Sequence, residues 1–589
     1  MLDESMDALE EIKEISKELY DKVASFASIM QPKEIKLLKG TKEEFEGLVA
    51  EMLANNELIR LNPELYPNCY LYRSDKNDVA RTEQNTYICT KNKDDVGPTN
   101  NWADEDEMLN RLMTLLSGIM KGKTMYVLPY LLGPAGSRFA RCGVELTDSK
   151  YVAISQMIIA KVGQEAIECI RNGDFVFGVQ ATGTLDPSNK YIAHFPSKKL
   201  IITVNSAYGG NALLSKKCHA LRIEGYLSKE KERLIEHMMA IEVIDPQGRH
   251  FGITGAFPSG SGKTNLAMLS PPDDYKDWQV RLLSDDIAWF EVSQGMLVAT
   301  NPEYGFFGIV PGTDEHSNPN ALKAIRKNTI FTNVALDLEN NTPWWEGLAP
   351  MPKELVDWQG NRQFAGPATH PNARFTTPIE QYPFLSKAYG SNEGLPIHAI
   401  LFGGRRSTTM PLVYEAYDYE QGILIGAMLR AETTAAVAGK VGVIRNDPMA
   451  MIPFCSYNMA DYFDHFHSVV SKLEKKPKFF NVNWFRKDAN GKFLWPGFGE
   501  NMRVISWITK RVAGEVEAIE SPIGYLPEKS SFDKGKISEE TLDLLLKVDK
   551  KEWLDELDAV EGFFNQFGER MPKWLWNAFY KLRDRLQSY

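Results

Sequence analysis

Phe251-Gly-Ile-Thr-Gly-Ala-Phe-Pro-Ser-Gly-Ser-Gly-Lys-Thr-Asn265 is the stretch around which the rest of the chain can be ordered. Residues 251–257 are β-rich and feed a glycine-rich turn, and Lys263-Thr-Asn-Leu-Ala-Met268 behind it reads as the start of a helix. Strand, glycine turn and helix in that order build a phosphate-binding loop, in which turn N–H groups and the positive helix end face an anion. Lys263 can bridge phosphates, and Thr264 can offer its hydroxyl to a magnesium ion. One position departs from the usual pattern. A glycine is expected five residues before Gly262, and Phe257 stands there. Taken alone, the stretch can also be read as a surface turn.

The 589 residues suffice for two or more large domains. With 43% hydrophobic and 25% charged residues the composition is that of a globular chain, and 11% aromatics supply a core. A net charge of −11 argues against a general nucleic-acid binder, while leaving anionic small molecules open to local basic clusters. The six cysteines (Cys69, Cys89, Cys142, Cys169, Cys218, Cys455) contain no C-x-x-C pair. That suits a reducing compartment and argues against a zinc ribbon or a disulfide framework. No segment has the length and apolarity of a membrane span, and the first residues, Met1-Leu-Asp-Glu-Ser-Met-Asp7, are acidic where a signal peptide would be basic. The expectation is a cytoplasmic enzyme without a membrane or nucleic-acid partner.

In the first half, residues 4–30 carry Leu9, Ile12, Ile15, Leu19 and Val23 at helical spacing and predict one packing helix. Residues 124–130 and 199–205 are apolar runs of strand length, with helix-compatible sequence over 152–169 between them. Three features could carry chemistry: Asp78-Val-Ala-Arg81-Thr82, Asn205-Ser-Ala-Tyr208-Gly209-Gly210-Asn211, and Lys216-Lys217. Each also has a bland reading. A lone arginine is ordinarily solvated, paired glycines often only turn, and adjacent lysines point different ways into water. His237 sits in an apolar, helix-like context that suits a hydrogen-bonded core histidine as well as a ligand.

Residues 241–254 read as a hairpin turning at 246–248, whose second arm is the strand before the phosphate loop. After the loop, the apolar run from Trp278 ends in Asp285-Asp286, an acid pair at a strand end that can reach a magnesium ion. Hairpins on both sides predict a mixed sheet. Residues 301–313 and 370–375 read as ordered loops. The strand over 397–402 delivers Gly403-Gly-Arg405-Arg406, arginines placed to grip a carboxylate or phosphate. Residues 431–440 are small and read as a mobile lid or a plain helix. Residues 483–501 gather aromatics with Pro and Gly at irregular spacing, which suits a stacking pocket for a planar ring, or a satellite core. Two structural helices follow from Ser538.

Taken jointly, these motifs resemble the GTP-dependent phosphoenolpyruvate carboxykinase family. The resemblance rests on Tyr208-Gly-Gly-Asn-Ala-Leu-Leu-Ser-Lys-Lys-Cys-His-Ala-Leu-Arg222, Glu236-His-Met238, Phe257-Pro-Ser-Gly-Ser-Gly-Lys-Thr-Asn-Leu-Ala-Met268, Asp285-Asp-Ile-Ala-Trp289, residues 301–313 and 370–375, Phe402-Gly-Gly-Arg-Arg406 and residues 482–501. It implies conversion of oxaloacetate and GTP to phosphoenolpyruvate, CO2 and GDP, as a gluconeogenic step. It implies Mn2+ held by Lys217, His237 and Asp286, and Mg2+ on the nucleotide at Thr264. The organic acid falls to Arg81, Tyr208, Gly209, Gly210, Asn372 and Arg374, with Lys216 nearby. Ser259, Gly260, Ser261, Gly262, Lys263 and Asn265 form the phosphate loop, and Arg405 bridges substrate and transferring phosphoryl. Trp484, Phe485, Phe493, Phe498 and Asn501 hold the guanine. Ser261, Lys217, Arg405 and Lys263 are the expected catalytic residues.

Two departures stand out: Ser261 occupies a place that is often cysteine in the family, and the lid stretch looks slightly short. A nucleotide-binding switch that had lost catalysis would lack a metal ligand or a substrate arginine, and none is missing. An ATP-dependent relative would lack the aromatic group at 484–501. The expected fold is mixed α/β with two domains, their mixed sheets flanked by helices, a phosphate-loop nucleotide site and a mobile lid. The boundaries are 1–225 for substrate and 226–589 for nucleotide, with the phosphate loop at 257–265, the lid at about 431–440 and C-terminal helices, in a monomeric protein.

Overall fold

The computed structural model describes residues 2–433 and 442–589, so of the expected lid the positions 434–440 lie outside the described residues. Two compact units emerge. The first gathers residues 1–96, 100–227 and 302–383, and the second 97–99, 228–301 and 384–589. Residues 302–383, which the boundary at 225/226 gives to the nucleotide domain, pack with the first unit. No described helix is long and apolar enough to cross a membrane.

The first unit is built on a mixed sheet. Strand Arg141–Thr147 runs antiparallel to Thr124–Leu132 and parallel to Phe175–Ala181. Phe175–Ala181 is in turn parallel to Leu200–Val204. Strands buried on both faces are near-continuous apolar runs, as Thr124–Leu132 and Phe175–Ala181 are. The N-terminal helices cover one face, with Phe26 5.6 Å from Phe177, ring to ring. They are two helices, not the single one expected over 4–30. Ser16 leaves helical geometry (φ −160°, ψ 128°) and its hydroxyl accepts the Leu19 N–H, capping Lys17–Met30 after Leu2–Ile15 has ended. A serine that can satisfy a free helix-start N–H gives the chain a cheap place to break. The stretch 152–169 is likewise two helices, Lys150–Ile159 and Gln164–Asn172, parted at Gly163 (φ 112°).

A smaller five-stranded sheet in the same unit contains Gly305–Ile309 paired with Arg374–Pro378. Both loops expected at 301–313 and 370–375 therefore contain strand; Pro302, Pro311 and Gly312 lie outside Gly305–Ile309, while Gly308 lies within it, paired with Phe375.

The second unit holds an eleven-stranded mixed sheet. The expected hairpin is present, with Met238–Ile244 antiparallel to His250–Ala256. His250–Ala256, Leu395–Gly403 and Lys478–Val482 are neighbours and parallel. Their C-terminal ends thus open at one edge and deliver the phosphate loop, Arg405 and Trp484 side by side. Gln279–Ser284 runs antiparallel to Met238–Ile244. The residue after the first and the residue before the second, the neighbourhoods of Asp286 and His237, therefore come out at that same edge. His237 is not helical: it is the joint between strands Arg233–Glu236 and Met238–Ile244, which pair with different partners. An apolar run buried on both faces has no period to tell strand from helix, which is why the sequence misleads there. Three helices follow Ser538, Glu539–Leu546, Lys550–Phe564 and Lys573–Ser588, where two were expected; the last two bury Trp553, Leu557, Val560, Phe564, Phe579 and Leu586.

Candidate active site

The phosphate loop leaves strand His250–Ala256 and turns through Gly260 (φ 73°) and Gly262 (φ 96°) into the single helical turn Lys263–Ala267. Positive φ at both positions is the reason for glycine there. Phe257, in the place of the usual glycine, is fully buried. Its ring takes space that two other glycines leave: a Cβ on Gly255 would lie 2.7 Å from it, and one on Gly403 would also collide with it. The glycine missing from the motif is thus compensated by two outside it. Gly262 lies against Trp484, which is buried. As the residue before the helix, Gly262 has no side chain with which to cap it, and uncapped first-turn N–H groups are the kind that can face an anion. Ser259, Gly260 and Thr264 are exposed or half-exposed; Asn265 is half-buried.

Ser261 is buried and its hydroxyl accepts the Arg405 backbone N–H at 3.0 Å. Arg405 Nε donates to the Gly260 carbonyl at 3.1 Å, so this arginine is tied to the phosphate loop at two points. Its guanidinium lies 4.0 Å over the Phe485 ring and 5.9 Å from Phe493. Burial pulls the Arg405 pKa down and Glu432 opposes that, but a guanidinium stays charged in a protein. Its neighbour Arg406 is buried in a two-pronged pair with Glu556 of helix Lys550–Phe564 (2.6 and 2.7 Å), which Arg430 joins at 2.8 Å.

At the same sheet edge Lys263 Nζ donates to His237 Nε2 at 2.5 Å and to Asp286 Oδ1 at 2.6 Å. His237 Nδ1 lies 2.9 Å from the Ala450 carbonyl. A carbonyl only accepts, so Nδ1 carries a proton and the ring is oriented with Nε2 toward the carboxylate. An imidazole nitrogen and a carboxylate oxygen thus face one point, and an ammonium group stands on it. That donor pair fits a first-row divalent cation. Among the described residues no group of three or more His, Cys, Asp and Glu side chains converges in this way, so a metal held here needs a further ligand of another type.

Phe485 and Phe493 meet edge to face, 6.0 Å apart, and Phe493 is 45% exposed, an aromatic surface open to a ligand. Phe498 is half-buried with φ 51°, and Asn501 is buried at the start of helix Asn501–Ala513. The Asn501 carboxamide oxygen accepts the Trp495 indole N–H at 2.8 Å. Since an indole only donates, this contact fixes which way the amide points.

In the first unit a second loop follows strand Leu200–Val204. The Tyr208 hydroxyl donates to the Asn372 carbonyl (3.3 Å) and accepts Arg374 Nε–H (3.2 Å). Arg374 also lies 5.3 Å over the Phe307 ring, which contacts Tyr208 in turn. A Cβ on Gly210 would press on the Tyr208 ring and on Arg81, so glycine here lets the two side chains close on the loop. Gly209 opens the short helix Gly209–Ala212. Arg81, Tyr208, Gly209, Gly210, Asn372 and Arg374, named from sequence, are therefore brought together. Lys216 and Lys217 ride on a π-helical stretch, Ser215–Ile223, a rare geometry that is frequent at functional sites. Lys216 is buried against Glu303 at 2.5 Å, and Lys217 is half-buried.

Sequence reading missed Trp495, Glu303 and Glu556. Glu303 lies inside a stretch it singled out, 301–313, but nothing local announced its lysine partner.

Comparison with known proteins gives the same picture across the chain. Residues 233–585 match the model of the phosphoenolpyruvate carboxykinase C-terminal P-loop domain, and residues 21–229 that of the phosphoenolpyruvate carboxykinase N-terminal domain. A protein of Thermoplasma volcanium named phosphoenolpyruvate carboxykinase [GTP] is 48% identical over 575 residues, covering 96% of this chain and 97% of its own. Proteins of the same name from Chlamydia felis and Renibacterium salmoninarum are 45% and 44% identical, each over 96–97% of this chain and 97% of their own.

Proposed function

The chain belongs to the GTP-dependent phosphoenolpyruvate carboxykinase family, and from that membership we propose which side chains carry each part of the reaction. The activity is that of a carboxy-lyase: the reversible conversion of oxaloacetate and GTP to phosphoenolpyruvate, CO2 and GDP, a gluconeogenic step. When CO2 leaves oxaloacetate, the electron pair stays behind as an enolate. The enolate oxygen then takes the γ-phosphoryl group while the bond to GDP breaks. Negative charge gathers at that oxygen and on the transferring group, so the protein must supply fixed cations and N–H donors there.

Arg374 and Arg81 bind the carboxylates of the organic acid, and Tyr208, Gly209, Gly210 and Asn372 shape its seat, with Lys216 nearby. The convergence of Arg374 on the Tyr208 hydroxyl supports this. The turn at Ser259, Gly260, Ser261 and Gly262, with Lys263 and Asn265, takes the nucleotide phosphates. Arg405 spans them and the transferring group. Phe485, Phe493, Phe498 and Trp484 hold the base, and Asn501 reads its edge. His237 and Asp286, with Lys217 as third ligand, would hold Mn2+, and Thr264 the nucleotide's Mg2+. Bound there, a divalent ion would supply positive charge against the enolate and phosphoryl oxygens. Lys263 would then leave its place between His237 and Asp286 for the phosphates. The reading is of a cytoplasmic monomer, and six free cysteines support a reducing compartment.

The observation that carries the reading is the parallel trio of strands whose ends present the phosphate loop, Arg405 and the Trp484–Phe485 pair at one edge. The test is to incubate the protein with oxaloacetate, Mn2+ and GTP, and in parallel with ATP or pyrophosphate, and to measure phosphoenolpyruvate. Product with GTP and little with the others is expected. Equal product with ATP would overturn the base pocket.

A further inference from the structure

A buried carboxylate, Asp78, stands beside the residues assigned to the organic acid. It is 1% exposed and accepts four hydrogen bonds. Lys190 Nζ (2.8 Å) and the Ser206 hydroxyl (2.7 Å) donate to Oδ1, and the backbone N–H groups of Ala207 (2.7 Å) and Tyr208 (2.8 Å) donate to Oδ2. Arg81 lies three residues further along the same segment. The bracing is returned from the other side. Asn211 Nδ2 donates to the Ala80 carbonyl (3.1 Å) and to Ser206 Oγ (3.0 Å), and Asn211 Oδ1 accepts the Thr82 N–H (3.3 Å). The two residues flanking Arg81 and the backbone of Tyr208 are therefore fixed to each other by one carboxylate and one carboxamide. We infer that Asp78 is a positioning residue for the organic acid: it sets the Tyr208 backbone, and through it the register of Tyr208 and Arg374 against Arg81. This rests on the organic-acid seat proposed above. It also explains why side chains must grip the substrate here. The two backbone N–H groups that could have bound a carboxylate are already occupied by an internal one.

All four partners of Asp78 are donors, so a carboxamide of the same shape cannot serve them. In Asp78→Asn the amide oxygen goes to the Lys190 ammonium, and its NH2 then faces the two backbone N–H groups. A lost hydrogen bond to a charged group corresponds to roughly a ten- to hundredfold effect. The oxaloacetate KM of Asp78→Asn should rise by about that factor, with kcat and the GTP KM changed by less than about threefold. Ser206→Ala removes one donor of the brace without stranding a charge and should raise the oxaloacetate KM a few-fold; it decides the matter if Asp78→Asn does not fold. Lys190→Met is the structural control. It touches Asp78 on the side away from the loop backbone, so it should lower the melting temperature and leave the oxaloacetate KM near wild type. An unchanged oxaloacetate KM in both Asp78→Asn and Ser206→Ala overturns the role. So does a Lys190→Met variant whose KM rises as far as that of Asp78→Asn. Arg374→Gln, run alongside, reports on the seat itself. If its oxaloacetate KM is unchanged the seat is wrong, whereas a raised KM there with none in Asp78→Asn overturns Asp78 alone.

Discussion

Two loops, one at 205–211 in the first unit and the phosphate loop at 257–265 in the other, are alike as sequence: each leaves a strand, carries glycines and enters a short helix. Their electrostatics are opposite. At 205–211 an internal anion, Asp78, lies under the backbone N–H groups of Ala207 and Tyr208 and consumes them, so in the proposed seat binding would fall to side chains held by that backbone. At 257–265 no side chain caps the helix start, and the internal charge is a cation: Lys263, parked on His237 and Asp286. One loop is already shaped before its ligand arrives. The other has no side-chain cap at its helix start, and in the proposed reading it would release Lys263 to the phosphates. A glycine-rich turn therefore says little about its ligand until its N–H groups are accounted for.

The largest effect that would break this contrast is at Lys263. Lys263→Ala removes the cation from the phosphates, and loss of a charge-stabilising donor commonly costs about 10²–10³ in kcat. Phosphoenolpyruvate formation should fall at least that far with the fold intact by circular dichroism; a few-fold loss would mean that Lys263 stays where it is during turnover. Next is Arg374→Gln, for which the oxaloacetate KM should rise roughly ten- to hundredfold while the GTP KM holds. Steady-state kinetics with each substrate varied would show it, and a matching rise in the GTP KM would erase the division of labour. Phe493→Ala should weaken GTP by the roughly 1–3 kcal/mol typical of base stacking, read as a raised dissociation constant with oxaloacetate untouched. An unchanged constant would return the exposed Phe493 to the surface.

The smallest effect is on stability. Glu145 accepts the Leu214 N–H at 3.2 Å, just ahead of the Lys216–Lys217 stretch, and a hydrogen bond from Gln156. Burial pushes its pKa up to about 8, against those hydrogen bonds, from the ordinary value of 4.5. Between those values the folded protein holds a proton that the unfolded chain has lost. The stabilisation is therefore complete below the unfolded value and fades as pH rises through the folded one. Glu236 in the second unit, also raised to about 8 by burial, adds a slope of the same sign. In Glu145→Gln the decline of the urea midpoint between about pH 5 and about pH 9 should be shallower than in wild type. An identical decline would place the titrating charge elsewhere.

Much of the second unit was legible because its signals are local. The glycines at 260 and 262, the arginine after Gly403-Gly404 and the aromatics at 484–498 each mark a turn or a surface within a few residues. The partners that make these features work are distant in sequence. Asp78 meets Ala207 and Tyr208 across about 130 positions, Glu556 meets Arg406 across 150, and Gly255 and Gly403 together make room for Phe257. A buried carboxylate has no sequence signature beyond its own letter, so its donors become visible only when the strands are paired. The helix break at Ser16 was legible in principle, since a serine followed by Lys-Glu-Leu offers a cap, but the unbroken apolar spacing around it hid the signal.

Whether the two loops serve two different ligands can be read by equilibrium binding. GTP binding and, with no nucleotide present, phosphoenolpyruvate binding would be titrated for wild type, Lys263→Ala and Arg374→Gln by calorimetry. A crossed result is expected: Lys263→Ala loses GTP affinity and keeps phosphoenolpyruvate, and Arg374→Gln does the reverse. If either variant loses both ligands to the same degree, the loops are not separate recognition elements.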